Sequence, residues 1–418
     1  MDEMFDVVVI GAGQGGLATS YLLRESGVRH VVLERGDVGG SWRSQRWDSF
    51  CLNTPNWSNS LPGLEFSGKD SDSFAPREEL ISYFERYVSL FELPVRDHTP
   101  VTGLKRLSTG DYSVQADGVT LRARAVVIAA GGMSRPKVPG IARNLPSGIS
   151  SLAAGEYRNP DALPDGSVVV VGSGQSGCQI AEDLLNAGRR VFLCASRVGR
   201  APRSYRGRDI FEWMRDSGFL EVGVEELEDP AMQFAAQPQV SGTHGGHTVS
   251  LQSLARDGAT LLGRVTGVDG DRLELGDNLL DCIAFADEKA KELRQRIDEF
   301  IARANIDAPP PEPDPGEPPL PELNGSDQME VLDLRPAGVG CVIWCTGYDA
   351  DWSWVKIDAF DEDGRPRHQD GITQWPGLYF AGLNWLSKRK SGILYGAPED
   401  AERVVEHIGR YLHGLEQA

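Results

Sequence analysis

Two unbroken apolar runs, residues 7–10 and 168–171, each end at a glycine-rich turn and give way to a helical pattern. After the first, Leu17, Ala18, Tyr21 and Leu22 share one face of a helix predicted over 17–24, and Gly27 closes it. A second apolar strand at 31–33 then ends on Glu34. The second run repeats the plan, with a helix over 178–186 and a strand over 191–194. Short apolar runs that do not alternate read as strands buried on both faces, the habit of parallel sheets. Elsewhere the period changes. Leu80, Ile81, Phe84 and Val88 predict an amphipathic helix over 76–91, and residues 112–121 read as a hairpin before a strand at 125–130. Leu293, Ile297, Phe300 and Ala304 mark a covering helix over 283–304. Strands at 340–348 and 377–382 precede a last helix from about 399 to 412.

The turns carry the chemistry. Gly11, Gly13 and Gly16 have the spacing G-x-G-x-x-G between a strand and a helix. In that setting the glycines serve a tight turn, backbone approach to a pyrophosphate, and close helix-on-strand packing. The helix N-terminus offers unpaired N–H groups to the phosphates, and Glu34 stands where a carboxylate takes both ribose hydroxyls, which suits FAD. Gly172, Gly174 and Gly177 repeat the spacing around Gln175 and Ser176, but the following strand ends on Ser196-Arg197. Hydroxyl and guanidinium accept the 2′-phosphate that a carboxylate would repel, so this site suits NADPH. Arg200, Arg203, Arg206 and Arg208 follow closely and are candidates either for the phosphate pocket or for solvated surface.

The expected fold class is therefore α/β, with two Rossmann-like dinucleotide-binding domains, the NADPH domain inserted into a discontinuous FAD domain. The expected division gives 1–155 and 328–418 to FAD and 156–327 to NADPH, with a helical and proline-rich excursion at 283–327. Eight prolines crowd residues 309–321 and predict a stiff, solvent-exposed segment. Gly40 and Trp42 open a loop that also holds Trp47, Asn53, Asn56 and Trp57, aromatic enough to pack against a flavin ring. His244 and His247 have an H-x-x-H spacing but no third ligand nearby, so no metal is assigned.

Length and charge narrow the class. At 418 residues the chain holds two full cores, and a formal net charge of −19 argues against nucleic acid and anionic membrane as partners. No apolar run approaches the roughly 20 residues of a membrane helix. The six cysteines include no C-x-x-C, and Cys341 and Cys345 lie a strand step of roughly 13 Å apart, too far for a disulfide. A reducing cytoplasm is the expected location.

Together the two fingerprints, Gly39-Gly40-Ser41-Trp42 and the turn Cys345-Thr346-Gly347-Tyr348 resemble the class B flavin-dependent monooxygenases, over most of the chain. LNTPNW and YRGRDIFEWM look like a bacterial branch near the plant auxin enzymes. The resemblance implies FAD and NADPH as cofactors and a small organic substrate and O2 as partners, with a homodimer left open. It also implies oxygen transfer by a C4a-(hydro)peroxyflavin, in N- or S-oxygenation or hydroxylation. Asn56, with Asn53 second, is the candidate for the catalytic amide near the flavin. Val101, Thr346, Gly347, Gly382, Lys390 and Ser391 are assigned to cofactor binding. One departure stands out: the family's F-x-G-x-x-x-H-x-x-x-[YFW] reads Ser147, Ile149, Ala153 and Tyr157, so only the aromatic remains. That departure keeps open an NADPH oxidase releasing H2O2, and a slow flavin redox sensor.

Overall fold

The computed structural model describes residues 3–66, 70–317, 319–320, 323 and 325–414. Strand β1 (Glu3–Ile10) lies between parallel partners, with Val8 beside both Val31 and Val126. Its residues from Val7 onward have almost no exposure because helices or loops cover both faces. Helix α1 (Gln14–Glu25) buries Leu17, Ala18 and Leu23 and returns the chain to β2 (His30–Leu33). The short α2 (Gly40–Ser44) follows, then α3 (Arg77–Leu90), which buries Leu80, Ile81 and Phe84 as its spacing predicts. Tyr83 and Tyr87 join that face, each hydroxyl donating to a loop carbonyl, at Leu64 and Pro62. Strands β3 (Val95–Arg96), β4 (Val101–Arg106), β5 (Tyr112–Ala116) and β6 (Val119–Ile128) complete the first run. The predicted hairpin is β5–β6, turning at Asp117-Gly118 with positive φ at both residues.

After β7 (Arg135–Pro136) and β8 (Ser150–Ala153) the plan repeats as β9 (Ser167–Val171), α4 (Gln175–Asn186) and β10 (Val191–Cys194). The hairpin β11 (Ser204–Tyr205)–β12 (Arg208–Asp209) leads into α5 (Ile210–Asp216). Helix α6 (Leu251–Arg256), capped by Ser250 on the Ser253 N–H, precedes β13 (Thr260–Leu262). A meander of β14 (Val265–Asp269), β15 (Arg272–Leu275) and β16 (Val331–Asp333) is interrupted by α7 (Leu279–Ala304). Then come β17 (Val339–Trp344), β18 (Tyr348–Asp349), β19 (Leu378–Phe380) and α8 (Ala397–Leu412), which packs against α1.

The first sheet has the order β3-β2-β1-β6-β5-β4 with β19 also on β6, and the second has β13-β10-β9-β17-β8. This corrects the expected division. Strand β17 pairs with β9 and β8 in the second sheet, so the chain returns to the first only afterwards, at 354–356 beside Leu104 of β4 and then at β19. Strand β8 likewise belongs to the second sheet. By backbone pairing the crossings fall at 129–149 and 345–353, rather than at 155/156 and 327/328.

The proline-rich segment is exposed at each described proline, 309–311, 313, 315 and 319, as expected, but it is anchored to the second unit through Asp314. Asp314 keeps 1% of its side-chain surface and pairs with Arg200 at 2.7 Å and Arg294 at 3.6 Å. Pro318 and Pro321 of that run lie outside the described residues.

Candidate functional site

At the first turn each glycine meets a different constraint. A Cβ on Gly11 (φ +107°) would lie 2.5 Å from the Ala129 carbonyl oxygen, and one on Gly16 would lie 1.9 Å from the Gly11 oxygen. A Cβ on Gly13 would meet nothing within 4 Å. Gly13 also heads α1 with no side chain capping the helix, leaving its first N–H groups free. That is a cradle with an open floor, the shape a pyrophosphate requires. Glu34 sits at its edge, its carboxylate accepting the Ala12 N–H at 2.7 Å and the Gly36 N–H at 3.1 Å.

Several distant segments close on this cradle. The Gly39 N–H reaches the Ala12 carbonyl at 3.4 Å, which brings Gly40 and Trp42 alongside. The Trp42 ring lies under the Arg46 guanidinium, 5.2 Å from it. Thr99, two residues before Val101, donates its N–H to the Glu34 carbonyl at 2.7 Å. A Cβ on Gly15 would lie 2.8 Å from the Gly382 Cα, and Gln14 Nε2 donates to the Gly392 carbonyl at 2.7 Å. Lys390 is not free for a ligand: its Nζ lies 2.6 Å from both Glu221 and Glu399. The Ser391 hydroxyl donates to Asp400 at 3.1 Å. Asp400 itself is 3% exposed, and burial pushes its carboxyl up to about 6.

The second turn has the same construction. A Cβ on Gly172 (φ +102°) would lie 2.5 Å from the Cys345 carbonyl oxygen, one on Gly177 1.8 Å from the Gly172 oxygen, and one on Gly174 would meet nothing within 4 Å. Thr346 and Gly347, expected in the first domain, therefore stand at the second cradle. The Thr346 hydroxyl donates to the Lys137 carbonyl, and the Lys137 N–H donates to Gly347 at 2.9 Å. Gln175 turns its amide onto the Val240 backbone, at 2.7 and 3.1 Å, beside a half-buried Ser176. Ser196 is tied to Ser173, whose hydroxyl accepts its N–H at 2.8 Å.

Arg197 is exposed and lies 4.4 Å over the Phe285 ring of α7. It borders a cleft of about 470 Å³ lined by Asn278, Asp281, Cys282, Ala284 and Phe285. Burial raises the Cys282 thiol while Arg197 and Arg264 pull it down, so both guanidinium groups bear on this cleft. Neither has a carboxylate partner among the described residues. The other candidate arginines do: Arg200 pairs with Asp287 and Asp314, Arg203 with Asp209, Arg206 with Asp298, and Arg208 with Glu212 and Asp216. Arg200 and Arg206 fasten α7 and the proline-rich segment, and Arg203 and Arg208 tie the β11–β12 hairpin to itself and to α5, so their guanidinium groups are already engaged. Arg264 and Phe285 were invisible in the sequence, having no motif and reaching Arg197 only through the fold.

Asn56 is 2% exposed, with Nδ2 donating to the Asp70 carbonyl and the Ser73 hydroxyl at 2.9 Å and Oδ1 left without a partner. Asn53 accepts from Gln179 Nε2 of α4 at 2.9 Å, which makes it part of the seam between the two units. Trp57 packs on Phe211 and Tyr395, with ring centroids 5.7 and 5.8 Å away, and Trp47 packs on Phe50. His247 donates to Glu182 at 2.5 Å, a bond that raises its pKa, and His244 contacts Asn186 at 3.4 Å. The pair fastens its loop to α4. Ala153 ends β8, its N–H donating to Glu156 at 2.7 Å. All six cysteines are free, and no helix among the described residues is long and apolar enough to cross a membrane.

Two cradles of one design on two sheets define a two-dinucleotide-binding flavoprotein. The pyridine nucleotide-disulphide oxidoreductase family model matches residues 8–212. An uncharacterised CzcO-like oxidoreductase of Geobacillus kaustophilus (strain HTA426) is 30% identical over 411 residues, 98% of this chain and 99% of that one. The indole-3-pyruvate monooxygenase YUCCA4 of Oryza sativa subsp. japonica is 28% identical over 442 aligned positions, covering 99% of this chain and 90% of its own. A solved flavin-containing monooxygenase from Stenotrophomonas maltophilia has the same fold, with a TM-score of 0.68 at 19% identity over 99% of this chain and 100% of its own. The chain belongs to the family of the CzcO-like oxidoreductases, and its fold is that of the flavin-containing monooxygenase. It is an oxidoreductase.

Proposed function

We propose that FAD occupies the first cradle, NADPH the second, and that the enzyme inserts one oxygen atom of O2 into a small organic substrate. The observation that carries this is the pairing of identical glycine geometry with different strand ends, Glu34 in one unit and Ser196-Arg197 in the other. When bound, the flavin supplies the redox chemistry that the side chains lack. The residues do the rest. Gly13 and Gly174 leave room for the pyrophosphates, and Glu34 has acceptor capacity left for ribose hydroxyls. Arg197 and Arg264 meet the 2′-phosphate, with Phe285 holding the Arg197 plane. Asn56 Oδ1 is a fixed acceptor in a dry setting and is the proposed catalytic amide. Trp57, Phe211 and Tyr395 exclude water where the two units meet.

The test is NADPH consumption against H2O2 release over a panel of amines, sulfides and ketones. Substrate-stimulated consumption without matching peroxide supports oxygenation. Peroxide equal to NADPH under every condition supports the second reading, an oxidase, which the small side chain of Ala153 at the family's histidine position favours.

A further inference from the structure

A half-buried arginine in a chain of net charge −19 should find a carboxylate, and Arg200, Arg203 and Arg206 all do. Arg389 does not. Its guanidinium is stacked between Phe219, 4.2 Å away, and Trp385, 4.7 Å away. Its Nε is sealed from water with no hydrogen-bond partner, whereas the outer nitrogens are not sealed. Burial first, and then the nearby Arg296 of α7, lower its pKa to about 10. Arg296 is exposed and also lacks a carboxylate among the described residues. The backbone fixes the arrangement: the Arg389 N–H donates to the Val222 carbonyl at 2.9 Å, and the Lys390 N–H to the Leu220 carbonyl at 3.2 Å.

We propose that Arg389 and Arg296 form a seat for the carboxylate of a small organic acid. A guanidinium fork matches a carboxylate bidentately, and stacking between rings holds the fork in one plane at little entropic loss. Two unneutralised cations at a half-dry site are stabilised by an anion and by little else. A carboxylate suits the seat better than a phosphate dianion, which is more expensive to strip of water between Phe219 and Trp385. The seat belongs to the segment whose Gly392 carbonyl accepts from Gln14 at the first cradle, at 2.7 Å; that the acid held there is the substrate rests on the monooxygenase reading.

The probes are benzoate and its neutral isostere benzamide, titrated into the FAD-loaded enzyme at low salt by calorimetry, so that binding is read without turnover. Benzoate should bind at least tenfold more tightly than benzamide. Arg389→Gln should abolish that preference, Arg389→Lys should keep part of it, and Arg296→Ala, at an exposed position, should weaken benzoate severalfold with the flavin spectrum unchanged. Equal binding of the two probes, no binding of either, or benzoate affinity unchanged in both Arg389→Gln and Arg296→Ala would overturn the seat. Benzoate preference in an enzyme that oxygenates nothing would leave the seat standing and remove only its link to the substrate.

Discussion

Gly172 and Cys345 are so close that a methyl group on the glycine would lie 2.5 Å from the cysteine's carbonyl oxygen. The end of β17 therefore forms the back wall of the second cradle, as Ala129 after β6 does for the first. At φ +102° a side chain is strained as well as crowded. Gly172→Ala should lose reduction by NADPH while still holding one FAD per chain, read by absorbance and anaerobic mixing. Loss of FAD with NADPH reduction retained would contradict the assignment of the two cradles.

Gly13 and Gly174 allow a cleaner separation of binding from folding. Since a Cβ at either position meets no protein atom within 4 Å, alanine there should leave the melting temperature of the ligand-free protein unchanged. The methyl would occupy the space of the pyrophosphate. Gly13→Ala should weaken FAD, and Gly174→Ala should weaken NADPH, each by tenfold or more on the order of one lost charge-assisted contact. A fall in apoprotein stability, with cofactor affinity intact, would show that the floors are packed after all.

Arg197→Ala and Arg264→Ala should each raise the KM for NADPH and leave NADH nearly unchanged. A charge-assisted phosphate contact is worth roughly 1.5–3 kcal/mol, about ten- to a hundredfold. Phe285→Leu should produce a smaller effect of the same kind, because it removes the surface on which Arg197 rests. Equal losses with both nucleotides would place these residues outside the phosphate site.

Much of this was legible because glycine spacing reports backbone geometry directly. Gly11, Gly16, Gly172 and Gly177 each have a steric reason that no other residue satisfies. The partner of a strand is not legible in the same way. Residues 340–344 form a buried apolar run that fits either sheet, and only pairing with Ser167–Val171 decides it. The arginine cluster failed for a related reason. Arg200 meets Asp314, and Arg206 meets Asp298, across separations of roughly a hundred residues that no local pattern signals. The tryptophan loop reads as aromatic and packed, and only the fold shows that Trp57 meets Phe211 of α5 and Tyr395 before α8, while Trp42 and Trp47 pack on Phe50.

Asp400 gives a pH signature with a definite sign. Burial raises its carboxyl to about 6 in the folded protein, against about 3.9 unfolded. Below about pH 3.9 both states hold the proton and the group contributes nothing. Between there and pH 6 only the folded state keeps it, so stability falls as pH rises, and above pH 6 the full penalty, up to about 3 kcal/mol, applies. Asp400→Asn should therefore gain on the wild type by about 1.5 kcal/mol more at pH 7 than at pH 5 in chemical denaturation of the FAD-loaded enzyme. A gap that does not change with pH would remove Asp400 as its source.

The last prediction concerns the seam between the two units. Lys388 and Lys390 each bridge Glu221, from the second unit, to Glu399 at the start of α8, with Nζ–O separations of 2.6–2.8 Å. Beneath this quartet the 220–224 segment exchanges backbone hydrogen bonds with 387–390, including Val224 N–H to the Ser387 carbonyl at 3.4 Å. Glu221 keeps 43% of its side-chain surface, so screening limits the attraction of the quartet to about 1 kcal/mol. Losing that much would raise the population of an open seam roughly fivefold. On the proposed monooxygenase reading, water would then reach the place where oxygen is activated, and oxygen transfer would uncouple from NADPH use. Glu221→Gln should raise the H2O2 released per NADPH severalfold, with FAD content and the KM for NADPH held. Salt near 0.5 M should move the wild type the same way and the variant much less, because the pairs that salt weakens are already broken there. Unchanged peroxide yield in the variant, or equal salt sensitivity in both proteins, would show that the quartet does not hold the seam shut.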